Sequence, residues 1–138
     1  MHQSTAWVLL FAGVIFVWSL LLGVRKWQEM STSSDGKAHP YIDIGHRAAL
    51  LYSFATTMIA VFVQTSAWPE AVNFTAACAA VLMFVVAIAN YTRLGLTRAT
   101  VNQMHNPPKH YRAALAANII GEIGGFLVLL VGFAVARL

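Results

Sequence analysis

Charge is what this chain has least of. Only 10% of its 138 residues are charged and 59% are hydrophobic, against roughly a quarter charged in an ordinary soluble domain. Such a chain cannot cover a water-facing surface. The single cysteine, Cys78, excludes an intramolecular disulfide and a cysteine-only metal site, and reads as a small core residue. The N-terminal stretch "MHQSTAW" carries no Lys or Arg, so it lacks the basic region of a secretory signal, and the apolar run behind it is longer than a signal's. It is expected to be a retained first helix. The chain has no phosphate-cradling glycine loop, hydrolase triad or dense metal motif. Basic residues interleaved with aromatics are also missing, so no nucleic acid partner is expected.

What is present is four apolar runs: Trp7 to Val24, Ala48 to Trp68, Ala71 to Tyr91 and Ala113 to Val135. At about 1.5 Å per residue each reaches roughly 27 to 35 Å as a helix, which matches a hydrocarbon core of about 30 Å. The expected fold is all-α, a polytopic four-transmembrane-helix bundle in one domain spanning residues 1–138. Eight of the nine basic residues lie in or beside the connections 25–47 and 92–112, whereas "SAWPEA" and the N-terminal tail have none. Because Lys and Arg near helix ends are retained inside, both long connections are expected in the cytoplasm and both termini outside, in the cell's inner membrane. The pI near 9.6 then reflects topology and contact with anionic headgroups.

Within "RKWQEMSTSSDGKAHPYID" the first helix continues as an amphipathic extension and breaks at "STSSDG"; Asp43 or the Gly45-His46 pair starts the second. In "SAWPEA", Pro69 suits a helix start and Trp68 an interfacial belt, so helices two and three are adjacent and antiparallel. Trp27, Tyr91 and Tyr111 suit the opposite belt. The third helix runs on past Thr92 until "HNPPKH" ends it. Asn73 opens a glycosylation pattern, "NFT", but lies too close to the membrane to act as an acceptor.

Candidate functional residues fall into three groups. Ala113, Ala117, Gly121 and Gly125 form a small-residue strip that allows close helix approach, to this chain or to a neighbouring copy or subunit. Glu122 sits deep in the fourth run, where a carboxylate costs several kcal/mol unless neutralised or paired. Asn118 shares its face, and Asn90, Tyr52, Ser53 or Thr56 are further candidate partners. His39, His46, His105 and His110 all fall on the basic side, but none is spaced i, i+4 with another. His46 alone stands where the second helix enters the membrane, beside Arg47, which suits a headgroup, phosphate or carboxylate.

The order and spacing of "HRAALLY", "AWPEA" and "ANYTRLGL" over residues 7 to 96 resemble the MAPEG group, small four-helix membrane enzymes that form trimers and act on lipophilic substrates, often with glutathione. His46 and Tyr52 stand where that group often has His and Tyr, while Ala48 and Leu51 replace its Asn and Glu, and no arginine lies within helix three. The chain is also similar to styrene oxide isomerase and hydroxylaminobenzene mutase. That resemblance implies haem b with His46 as the iron ligand.

Three readings follow. The first is a small membrane enzyme or binding protein for an amphiphilic molecule or lipid, with His46 and Arg47 holding substrate and Tyr52, Asn118 and Glu122 catalytic. The second is an accessory subunit docked through the Ala113/Ala117/Gly121/Gly125 face, and the third is a haem protein using His46.

Overall fold

The computed structural model describes residues 1–138 as four helices and no strand: α1 (Gln3–Thr32), α2 (Pro40–Thr65), α3 (Glu70–Thr97) and α4 (Tyr111–Arg137). All four are long and apolar enough to cross a membrane. Each begins or ends outside its apolar run, because polar residues at the ends find partners. Helix α1 continues through "RKWQEMST", where Arg25 pairs with Glu29 one turn later. Helix α2 starts at Pro40, earlier than Asp43, since proline suits a first helical position and the His39 Nδ1 accepts the Tyr41 N–H at 3.3 Å. The first connection is therefore Ser33 to His39 rather than 25–47. Helix α3 runs to Thr97 and stops at Arg98, whose φ of 52° is left-handed, and the third connection shortens to 98–110.

Buried positions recur every three or four residues along the first three helices. They are Val8, Ala12, Ile15, Ser19 and Leu22 on α1; Ile42, Gly45, Ala49, Ser53, Thr56, Ala60 and Val63 on α2; and Asn73, Ala77, Ala80, Phe84 and Ile88 on α3. This is the seam of helices packed nearly parallel to one another. Many seam residues are small, so backbones approach closely. Where they are hydroxylic, as at Ser53 and Thr56, the oxygen donates to the carbonyl of Leu50 or Tyr52 on its own helix at 2.7 Å and presents only carbon to the neighbour.

At the end opposite the basic connections, side chains of one helix satisfy the free amides of another. The Glu70 carboxylate accepts the Ser4 N–H at 3.0 Å, and Gln64 accepts the His2 N–H at 2.9 Å. Asn73, the apparent glycosylation site, is buried and donates to the Trp68 carbonyl at 2.9 Å.

Helix α4 is seated by one half only. Gly125, Leu129 and Gly132 are buried, whereas no residue from Tyr111 to Ile119 is. A Cβ added at Gly125 would lie 2.5 Å from the Ala76 carbonyl oxygen, one added at Gly121 would lie 2.5 Å from the Met83 side chain, and one at Gly132 would collide with Ser66 and Trp68. Trp68 Nε1 donates to the Val128 carbonyl at 2.8 Å and Ala67 N–H to the Gly132 carbonyl at 2.9 Å. The Gly121 and Gly125 half of the small-residue strip thus packs on α3 of the same chain, and its Ala113 and Ala117 half stays exposed. Between the two halves, Ile120–Gly124 forms a π-helical turn in a stretch where three glycines lower the cost of departing from α geometry.

Gly125→Ala is expected to lower the thermal midpoint in detergent, with a loss of about 1–3 kcal/mol for overpacking. Gly13→Ala, where nothing lies within 4 Å of an added Cβ, should leave it unchanged or raise it slightly. Equal tolerance at both positions would contradict the seating of α4.

Candidate functional site

Two charge clusters organise the basic end. Glu29, 6% exposed, accepts from the His39 N–H at 2.8 Å and pairs with Arg25 at 3.0 Å and Arg98 at 3.3 Å, so one carboxylate joins α1, the first connection and the end of α3. Asp43 joins Lys26 of α1 at 2.6 Å to Arg47 of α2 at 2.8 Å. Both carboxylates lie outside the apolar runs. Burial raises the Glu29 pKa, but the His39 amide and the two guanidiniums outweigh it and hold the carboxyl below its usual value. The Lys26 ammonium, by hydrogen bond and charge, does the same for Asp43 against partial burial, with Arg47 adding to it. Four cations are consumed in this way.

His46 is engaged in packing. Its Nδ1 lies 2.9 Å from the Ser19 carbonyl, Ser19 Oγ donates back to the His46 carbonyl at 3.2 Å, and the ring rests on Gly23, where an added Cβ would sit 3.0 Å from a ring carbon. A carbonyl can only accept, so Nδ1 carries a proton. Arg47 is 65% exposed and committed to Asp43. Tyr52 stacks on Phe84 at 4.2 Å and 8°, between α2 and α3. None of His46, Arg47 and Tyr52 lines a principal cavity. Asn118 and Glu122, although one turn apart, line two different cavities and are not hydrogen-bonded to each other.

Asn118 belongs to a cavity of about 300 Å³ at the basic end, beneath the connection 98–110. One wall is α3, with Val86, Ala87, Asn90, Tyr91 and Arg93. The other is the unburied start of α4, with Tyr111, Ala114, Leu115 and Asn118, and Gln103, Pro108 and His110 of the connection close the top. The polar groups form a chain: Arg93 donates to Asn90 Oδ1 at 3.1 Å, and Asn90 donates to Gln103 Oε1 at 2.9 Å. The Gln103 N–H donates to the Tyr41 hydroxyl at 2.6 Å, and Tyr41 stacks on Tyr91 at 6.0 Å, which fixes the connection against the bundle. Arg93 has no carboxylate partner. The cavity is thus two-toned: Arg93, Asn90, Gln103, His110 and the phenols lie toward the connection, Val86 and Ala87 lie toward the middle of α3, and on α4 Ala114 and Leu115 are followed one turn deeper by Asn118.

Sequence reasoning passed over Glu29, Arg93 and Gln103. The Arg25-Glu29 spacing of four and the Asn90-Arg93 spacing of three were the available signals for the first two. Nothing local marks Gln103, whose role depends on the connection folding back onto Tyr41. No group of three or more His, Cys, Asp or Glu side chains converges in a way that would hold a metal ion.

Comparison of the chain with protein-family models, with curated proteins and with solved structures finds no match.

The lowered carboxyls stabilise the fold above the unfolded carboxylate range, about pH 4, and that contribution is lost as pH falls through their folded values. Thermal midpoints should therefore fall on acidification below about pH 4. Glu29→Gln should cost about 1–3 kcal/mol at pH 7 and flatten the acid limb. An unchanged acid limb in that variant would contradict the role given to Glu29.

Proposed function

We propose that this chain is a multi-pass protein of the cell's inner membrane, with its two long connections in the cytoplasm, and that the cavity between α3, the 98–110 connection and the start of α4 binds an amphiphilic molecule with an anionic head. The observation that carries this reading is the division of the cavity. Arg93, free of any carboxylate, stands with Asn90, Gln103 and His110 at one end, and Val86, Ala87 and Leu115 continue the wall toward the exposed hydrophobic surface of the helices, with Asn118 the one polar residue at that depth. A guanidinium and amide donors suit a phosphate or carboxylate head, and the apolar wall suits a chain lying along the bundle. The positive-inside asymmetry puts this end at the cytoplasmic headgroups.

Catalytic roles for Tyr52, Asn118 and Glu122, and substrate contacts by His46 and Arg47, receive no support from a shared site. For haem, His46 Nε2 is the available ligand atom, but none of the chain's principal cavities is lined by His46. Glutathione, which carries two carboxylates, would meet one guanidinium in the Arg93 cavity. A second reading, docking to another copy or subunit, is favoured by the first half of α4, where Ala113 to Ala117 are all exposed.

Native mass spectrometry from mild detergent tests both readings. The binding reading predicts retained phosphatidylglycerol in preference to phosphatidylcholine, and a roughly tenfold weaker association in Arg93→Ala or Asn90→Ala, as expected for losing a charge-assisted hydrogen bond. Equal retention of both lipids by the wild type and these variants would overturn it. A stoichiometric second subunit bound without lipid would favour docking.

A further inference from the structure

The one carboxyl deep within the helices is left out of every interaction described above. Glu122 lies near the midpoint of α4, in the π-helical turn, and its Oε1 is buried with no hydrogen-bond partner. It lines a second cavity, of about 290 Å³, whose other walls are apolar: Ala55, Met58 and Ile59 of α2, Phe84 of α3, and Ile123, Phe126 and Leu127 of α4. This cavity shares no residue with the one around Arg93.

Water does not satisfy such a site. A stable buried water needs two to four polar partners, and this cavity offers one carboxyl. No cation of the chain is available either: none of the nine Lys and Arg lies within the four apolar runs, and all four ion pairs are at the basic end. The partner has to bring one donor on an otherwise apolar body. Met58, Ile123 and Leu127, at the rim, are 48%, 56% and 50% exposed, so in a bilayer the opening faces hydrocarbon. At the ~30 Å³ that one water takes in the liquid, the space holds on the order of ten non-hydrogen atoms. A carboxyl group in a low-dielectric cleft prefers a basic nitrogen to a neutral hydroxyl, because opposite charges gain most where solvent screens them least.

We propose that the cleft around Glu122 is a binding site, entered from the hydrocarbon, for a compact apolar amine. The turn at Ile120–Gly124 presents the carboxyl, and Phe84 with Phe126 supplies ring surface for the ligand body. The proposal is independent of the Arg93 cavity.

The test is saturation binding of tritiated 1-aminoadamantane to the full chain in phosphatidylcholine nanodiscs, with 1-adamantanol as the neutral competitor. Saturable binding to the wild type is expected, with affinity at least tenfold lower in Glu122→Gln and at least tenfold weaker competition by the alcohol. Ala55→Phe, which fills the cavity and leaves the carboxyl in place, should abolish binding. It serves as the deciding variant if Glu122→Gln does not fold. Binding no greater than to empty nanodiscs, equal affinity for amine and alcohol, or undiminished binding in either folded variant would overturn the proposal.

Discussion

The structure rests on how closely its helices approach. With almost no charge to spend inside hydrocarbon, and with lipid tails as apolar as leucine, helices associate through contact of backbones and through a few interhelical hydrogen bonds. Ala12, Ser19, Gly45, Ala49, Ala77 and Ala80 keep the α1, α2 and α3 seams thin, and Gly121, Gly125 and Gly132 let α4 rest on the backbone and side chains of its neighbours. Seam hydroxyls at Ser53 and Thr56 bond to their own helix and that of Ser19 to the His46 carbonyl across the seam, so few buried polar atoms are left without a partner: Ser4, Thr5, Asn73, Thr92 and Glu122.

The same constraint creates the cavities. Glycine seats only the second half of α4; the first half, with no buried residue, stands against α3 only through the lining of the Arg93 cavity. The π-helical turn falls between the seated and unseated halves, and it is there that the one deep carboxylate occurs. At the basic end, charge is added to the packing. Glu29 and Asp43 gather four cations and hold the first connection and the ends of α1, α2 and α3 together, which leaves Arg93 as a cation facing a cavity.

Four helices were legible because each apolar run has the length of a bilayer core, and the short "SAWPEA" turn fixed the pairing of α2 with α3. The extensions of α1 to the "STSSDG" turn and of α3 past Thr92 were legible as well, whereas the start of α2 at Pro40 and the stop of α3 at Arg98, well before "HNPPKH", were not. His46 drew attention as a histidine at a helix entrance, yet a histidine is also a donor that ties one helix to the next, and the Ser19 carbonyl used it so. Tyr52 became a stacking partner for Phe84 for the same reason. The cavity around Arg93 was hidden from any linear reading, since it exists only when Gln103 is folded back onto Tyr41, some sixty residues earlier in the chain.

The central claim is that the unseated start of α4 leaves a two-toned cavity that an amphiphile fills. A structure of the protein in lipid nanodiscs measures this directly. The account predicts elongated density with its head within hydrogen-bond distance of Arg93 and Asn90 and its tail along Val86 and Leu115. Residues Tyr111 to Ile119 packed against α3 with the cavity closed, or an open cavity containing only ordered water, would contradict it.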